Sequence, residues 1–453
     1  MQLPDSFVQS IQAKFNDGEY QDFLLALSQS APTSIRINPN KKSDLTIDNN
    51  VKWCPHGHYL SERPIFTLDP SFHAGAYYVQ EASSMFIWQI LHQISGRNKD
   101  IRILDLSAAP GGKSTLIAAF LNHQGLLVAN EIVKNRAYTL KYNLSKEGYS
   151  NVIVTNNDPK DFTALEDFFD IILIDAPCSG EGMFRKDPNA ISEWSPQNVT
   201  NCAIRQQKII NDILPSLKEG GHLIYSTCTY NDYENIDNVQ FAMEKYGLAP
   251  VSLEIDPAWK ITDVQKGSAL GYQFFPHMTT GEGFFASVMQ KTASPNQVTK
   301  WKTDDKNLIN LDKKLIPLIQ RWINSDGKEL LIDKVENLHL FPSEYKDSAR
   351  ILSHFLRIIY CGTTVGTLNK TVFIPDHSLS LSLDISGEIP TIELTKGEAL
   401  LYLKRELNEI NSTHKSWVLA TYKGLGIGWL KNLGSRINNY LPMEYRILMK
   451  LEK

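Results

Sequence analysis

The sequence predicts an α/β protein. A mostly parallel, doubly wound sheet is preceded by a small α+β module and followed by further α+β segments. Three observations carry this reading. Between residues 101 and 245, short apolar runs alternate with helical stretches, the pattern of a parallel sheet covered on both faces. A loop of small residues at 107–113 joins the first of these strands to the first helix. Beyond residue 291 the chain turns polar and aperiodic, which marks a break before a second set of elements.

The elements follow in order. Residues 1–78 read as the small module: 5–29 have apolar positions at helical spacing, and 34–38 (Ser-Ile-Arg-Ile-Asn) alternate as a strand. Short aromatic runs at 53–60 and 75–80 complete it. The central domain spans 79–292 and opens with an amphipathic helix over 80–93. Strands are expected at 101–106, 126–130, 152–155, 169–174 and 221–227, and helices at 114–122, 134–147, 198–217 and 233–245. Residues 272–276 and 283–290 read as an antiparallel hairpin at the sheet edge. Residues 293–310 read as a linker, and 311–383 as a middle α+β domain with a helix over 312–323. The last domain, 384–453, has a helix over 396–407 and strands at 417–422 and 427–430.

Composition sets the bounds. At about 100–200 residues per domain, 453 residues make roughly three domains. A hydrophobic share of 42% supplies sizeable cores, and 21% charged residues is ordinary for a globular protein. The net charge is −4, so any nucleic-acid surface must be local. The last 39 residues hold seven Lys/Arg against two Glu, a local +5. Five cysteines, Cys54, Cys178, Cys202, Cys228 and Cys361, suit a reducing compartment better than a disulfide framework. With no signal-peptide pattern and no apolar run near ~18 residues, a cytoplasmic protein off the membrane is expected.

The sharpest motif follows the first strand: Asp105-Leu106-Ser107-Ala108-Ala109-Pro110-Gly111-Gly112-Lys113. Ligands of open α/β sheets bind beyond the carboxyl ends of strands, and small residues let backbone N–H groups approach them. The loop is neither G-x-G-x-x-G nor a phosphate-binding G-x-x-x-x-G-K-[ST], because position 107 is Ser. Glu131 follows the second strand, where an acid accepts from ribose hydroxyls. Asp158 follows the third, placed to accept from an adenine amine.

The fourth strand runs into Asp175-Ala176-Pro177-Cys178-Ser179-Gly180-Glu181-Gly182, and the fifth into Ser226-Thr227-Cys228-Thr229-Tyr230. A lone cysteine is more often a small buried hydrophobe. Two at the ends of strands that should be neighbours, at the lip of the same pocket, point to chemistry. A helix expected at 233–245 would place positive partial charge near Cys228 and favour its thiolate.

These residues resemble the NOL1/NOP2/Sun family of bacterial RNA cytosine-5 methyltransferases, and within it the branch acting on 16S ribosomal RNA. The match includes 34–38, Trp53-Cys54, 77–85, Asp175–Gly182, Phe184-Arg185-Lys186-Asp187-Pro188, Trp194-Ser195-Pro196, 225–230 and Gly281-Glu282-Gly283-Phe284-Phe285. It implies a Rossmann-like methyltransferase sheet and S-adenosylmethionine bound by residues 107–113, Glu131, Asp158 and Asp175. Cys228 would attack carbon 6 of cytosine as a thiolate and Cys178 would assist release, while Asp175 would hold the pyrimidine edge. Many relatives have Cys where Ser107 stands, and some have Arg where Gln273 stands. The tail, with Glu398-Ala399, Trp417-Val418-Leu419, Lys431 and Leu433-Gly434-Ser435-Arg436, resembles a PUA-like RNA-binding module.

Partner expectations follow: RNA, above all 16S ribosomal RNA or the small subunit, bound by a monomer, with Arg185, Lys186, Lys431 and Arg436 as contacts. The same chemistry on transfer RNA and a non-catalytic RNA-binding protein are the alternatives. Cys54-Pro55-His56-Gly57-His58 lacks a second Cys/His pair at metal-ligand spacing and reads as a structural or RNA-facing loop, so no metal is expected. Cys202, Cys361 and Trp194 read as core residues.

Overall fold

The computed structural model describes residues 3–42, 49–96, 98–292, 301, 307–410 and 414–450. The expected linker falls mostly outside them, but Leu308–Asn310 at its end is a strand.

The central sheet is built from β1 (Arg102–Asp105), β2 (Leu126–Asn130), β3 (Val152–Thr155), β4 (Phe169–Asp175) and β5 (Leu217–Thr227). It continues through β6 (Thr262–Lys266), β7 (Ala269–Phe274), β8 (Phe284–Lys291) and β9 (Ile358–Cys361). Their spatial order is β6-β7-β8-β5-β4-β1-β2-β3-β9. The strands β5, β4, β1, β2 and β3 are parallel, and the rest are antiparallel additions. After β3 the chain crosses back past β1 to β4. The carboxyl ends of β1 and β4 therefore flank the switch point where α/β sheets bind ligands. In the β4–β5 register Asp175 faces Ser226, which brings the two cysteine-bearing loops side by side.

The crossover helices are α1 (Gly112–Leu121), α2 (Lys134–Glu147), α3 (Pro196–Ile213) and α4 (Ile236–Tyr246). Helix α1 is buried over its whole length after Lys113, which matches its nearly all-apolar sequence.

Several elements differ from the sequence expectations. The helix expected over 198–217 stops at Ile213, because Pro215 forces a short turn and β5 already begins at Leu217. The helix expected over 80–93 is a 3-10 turn, Ser83–Phe86, followed by a helix from Ile87 to Ser95. Residues 312–323 are not a helix but hold two short 3-10 turns, Ile316–Leu318 and Gln320–Trp322, around Pro317. Trp322 at their end packs on Phe373 and Trp429. The hairpin β7–β8 forms as expected but does not end the sheet, since β6 pairs beyond it.

The N-terminal module is a four-stranded antiparallel sheet ordered Asn49–Asn50, Gly57–Leu60, Thr33–Ile37, Tyr77–Val79. It is fastened to the central domain by Arg36, which is fully buried and donates to Gln80 Oε1 (3.0 Å) and Thr115 Oγ1 (2.7 Å). Lys41 is buried too, and its ammonium donates to the carbonyls of Ala74, Lys146 and Leu381, three separate segments. A five-stranded antiparallel sheet (308–375) and a four-stranded sheet (391–439) follow. Among the described residues no helix is long and apolar enough to cross a membrane.

Candidate active site

The loop after β1 is a shaped cradle. Gly111 has φ +120°, a conformation closed to other residues, and caps α1. Its carbonyl groups are stapled to α2: Arg136 Nη2 donates to Ala109 O (2.8 Å) and Asn143 Nδ2 to Pro110 O (2.8 Å). Ala108 N donates to Asn130 O at the end of β2 (2.8 Å). This fixes the loop as one wall of a cavity of about 380 Å³. The same cavity is lined by Asp105, Ser107, Lys113, Asp175, Lys186 and Cys228, and closed by Tyr78–Glu81 of the N-terminal side and Glu282–Phe284 of the late hairpin.

Its electrostatics are built from opposed charges. Lys113 Nζ is 2.8 Å from Asp175 Oδ2, and Ser226 Oγ donates to Asp175 Oδ1 (2.8 Å). Burial pulls the Lys113 ammonium down, but Asp175, then Asp105 and Cys228, outweigh it and hold it protonated above its ordinary range. Asp105 is fully buried; Oδ2 accepts from Ser114 Oγ (2.6 Å), while Oδ1 has no protein partner. A buried, unpartnered carboxylate oxygen on a cavity wall is set to receive a cationic ligand group.

The two thiols meet at the ends of β4 and β5. Cys178 Sγ and Cys228 Sγ are 2.8 Å apart, and both are free. Cys228 N also donates to Cys178 Sγ (3.3 Å). The contact with Cys228, then burial, then Glu234 push the Cys178 thiol well above its usual range. Gly182 N donates to Cys228 O (2.8 Å), and a Cβ on Gly182 would lie 2.9 Å from that oxygen. The close approach of the two loops thus requires glycine there.

Family models now bear on this geometry. One described as 16S rRNA methyltransferase RsmB/F matches residues 92–290, and one for the N-terminal domain of 16S rRNA methyltransferase RsmF matches 3–82. A third, for the methyltransferase RsmF PUA domain, matches 389–447. Ribosomal RNA small subunit methyltransferase F of Erwinia tasmaniensis is 31% identical over 98% of this chain and 96% of its own length. The chain belongs to the RsmF family. The protein of the same name from Serratia proteamaculans is 32% identical, again over 98% of this chain and 96% of its own. Two solved structures share the fold. NSun6 from Pyrococcus horikoshii is 22% identical with a TM-score of 0.54, over 64% of this chain and 99% of that one. A methyltransferase homolog from the same organism is 24% identical with a TM-score of 0.51, over 64% and 100%. As a member of the RsmF family the chain is a methyltransferase that uses S-adenosylmethionine.

Other residues singled out in the sequence are placed less centrally. Glu131 is buried, but its carboxylate accepts from Val133 N (2.9 Å) and lies 3.6 Å from Arg136 Nη2, outside the cavity wall. Asp158 is also off that wall and accepts from Lys160 N, capping a short turn. Arg185, expected at RNA, is buried instead: its side chain is 5% exposed, pairs with Glu282 (3.0 Å) and donates to Ala26 O and Gly281 O. Lys186 beside it does reach the cavity. Lys431 lies over the Trp417 ring, and Arg436 is exposed. The helix dipole invoked for Cys228 is displaced, because α4 opens only at Ile236. Lys113 lines the same cavity as Cys228. Gln273, which stands where some relatives have Arg, is a fold contact: its amide spans Thr229 O and Phe284 O and accepts from Asn235 Nδ2. Cys54 is buried, and among the described residues no group of three His, Cys, Asp or Glu is arranged to hold a metal.

Sequence reasoning left Asp105 out of the site, although it opens the small-residue loop. Burial pushes its carboxyl up to about 7, against the Ser114 hydroxyl and with help from Asp175. S-adenosylmethionine carries a sulfonium and an ammonium, and a bound cation draws that value back down. The attraction is therefore full above pH 7 and is lost as pH falls through 7 toward the lower, bound-state value. Cofactor affinity is expected to weaken by up to about tenfold per pH unit below 7. Calorimetry in buffers of different ionisation heat should show proton release near pH 7; an affinity flat from pH 8 to 6 would contradict the assignment.

Proposed function

We propose that this RsmF-family methyltransferase methylates carbon 5 of cytosine in 16S ribosomal RNA, through covalent addition of Cys228 to ring carbon 6. The observation that carries this reading is the pair of free thiols in contact, with Cys228 on the wall of the cavity and Cys178 directly behind it. An enzyme that methylates an already nucleophilic atom needs no such pair. Carbon 5 of cytosine is a poor nucleophile, and addition of a thiolate to carbon 6 makes it enamine-like.

Bound S-adenosylmethionine would supply an electrophilic methyl group, its sulfonium S–CH3 bond breaking to leave the neutral thioether S-adenosylhomocysteine. Cys228 Sγ forms a bond to carbon 6, and the ring electrons shift so that carbon 5 takes the methyl. A base removes the carbon-5 proton, the Cys228–carbon 6 bond breaks, and the aromatic ring returns. Cys178, touching Cys228, is assigned to that release. Asp175, held by Lys113 and Ser226, faces the cavity and is assigned to the pyrimidine edge, where a proton shared with ring nitrogen 3 stabilises charge built up during attack. Residues 107–113 cradle the cofactor, which would extend past the cavity described above, with Glu131 assigned to its ribose and Asp158 to its adenine.

The base must leave its stack to enter the cavity. Lys186 at the rim suits the flipped nucleotide's phosphate. Lys431 and Arg436 of the PUA-type domain supply contacts on the basic tail. The five free cysteines suit action in the cytoplasm. Bisulfite sequencing of total RNA from a strain lacking this gene should show a single class of lost 5-methylcytosine, in 16S RNA. Loss confined to transfer RNA would move the substrate there, and no loss would leave an RNA-binding protein without this chemistry.

A further inference from the structure

Behind the two cysteines lie two carboxylates that the chemistry above does not use. Glu181 and Glu234 are 1% and 0% exposed. They are crossed. Glu181 belongs to the Cys178 loop and accepts from Tyr230 N on the Cys228 loop (2.8 Å). Glu234 lies beyond Cys228 and accepts from Ser179 N, the residue after Cys178 (2.9 Å). Asn231 joins them: its Nδ2 is 3.1 Å from Glu181 Oε1 and 2.8 Å from Glu234 Oε1, and its Oδ1 accepts from Glu234 N (2.9 Å). Gln206 of α3 donates to Glu234 Oε2 (2.8 Å) and to Pro177 O (3.0 Å). Trp194 Nε1 donates to Glu181 Oε1 (3.0 Å).

We propose that Glu181, Glu234 and Asn231 form a crossed clasp that holds the Cys178 and Cys228 sulfurs in contact, and so act as positioning residues for methyl transfer. The proposal rests on the cysteine chemistry proposed above. Burying a carboxylate is costly unless its oxygens are satisfied, and an apolar pair would fill the same space more cheaply. Here each carboxylate takes a backbone N–H of the opposite loop, which no apolar residue can do. A fully satisfied buried network is stiff. Stiffness matters because a misplacement of about 1 Å at a reacting group can cost on the order of a hundredfold in rate.

The test uses the full-length chain carrying Asn231→Ala, with Glu181→Gln as a second variant. Three quantities are measured: S-adenosylmethionine affinity by calorimetry, kcat and KM on RNA, and the rate at which the thiol oxidant diamide closes Cys178 and Cys228 into a disulfide. Closure, followed by peptide mass, takes two protons and two electrons from the thiols, and diamide becomes the hydrazine. Cofactor affinity and KM should stay within about threefold, while kcat and the closure rate each fall by about tenfold or more. Rates within about twofold of the wild type, or a fall in kcat with unchanged closure, would overturn the clasp. If Asn231→Ala no longer melts cooperatively, Glu181→Gln decides on the same readouts. Closure does not depend on which thiol attacks RNA. Full activity in Cys228→Ser would therefore sink the chemistry while leaving the clasp to be judged by closure alone.

Discussion

Cys228→Ser is expected to lower methyl transfer by about a thousandfold or more while S-adenosylmethionine affinity stays within about twofold. In the proposed site the cofactor is held by the 107–113 loop and the strand-end acids, so losing the Cys228 sulfur should leave binding intact. A serine hydroxyl is almost never ionised near neutral pH and adds poorly to carbon 6. Transfer of a labelled methyl group to RNA measures the effect. Activity within about tenfold of the wild type would rule out covalent addition through this residue.

Cys178→Ala has the opposite signature. Attack by Cys228 is retained, while release of the methylated base is expected to slow by on the order of a hundredfold. The enzyme should then accumulate bonded to RNA, as a slow-migrating species on a denaturing gel that needs both RNA and cofactor. The reason is geometric. Cys178 Sγ lies 2.8 Å from Cys228 Sγ, next to the bond that must break. A variant that turns over normally without an adduct would assign release to another group.

Much of this was legible from residue order, for physical reasons. Parallel strands buried on both faces must be apolar runs, and each ends where its loop turns polar, so Asp175 and Cys228 could be located by counting strands. The pairing of β4 with β5 followed from the same winding rule. What escaped was non-local. Strand β6, Thr-Asp-Val-Gln-Lys, has a single large apolar residue and exists through its pairing with β7. Strand β9 comes from the segment expected as a separate middle domain, yet it adds to β3 of the central sheet. Arg185 carries a charge and so reads as surface. Its burial depends on Glu282, distant in sequence and adjacent in space. The start of α4 was misplaced because Tyr233 fits the helical period, whereas residues 231–235 are held in a turn by Glu181, Ser179 and Gln273. Tertiary hydrogen bonds outweighed local propensity there.

The most direct test of the central claim traps the enzyme on its substrate. In RNA bearing 5-fluorocytosine, methyl transfer can proceed, but carbon 5 has no proton to lose, so the Cys228–carbon 6 bond cannot break. Tandem mass spectrometry of the digested adduct should find the methylated fluorocytosine nucleotide on the peptide containing Cys228. A nucleotide on the Cys178 peptide instead, or no covalent species in the presence of active enzyme and cofactor, would contradict the account.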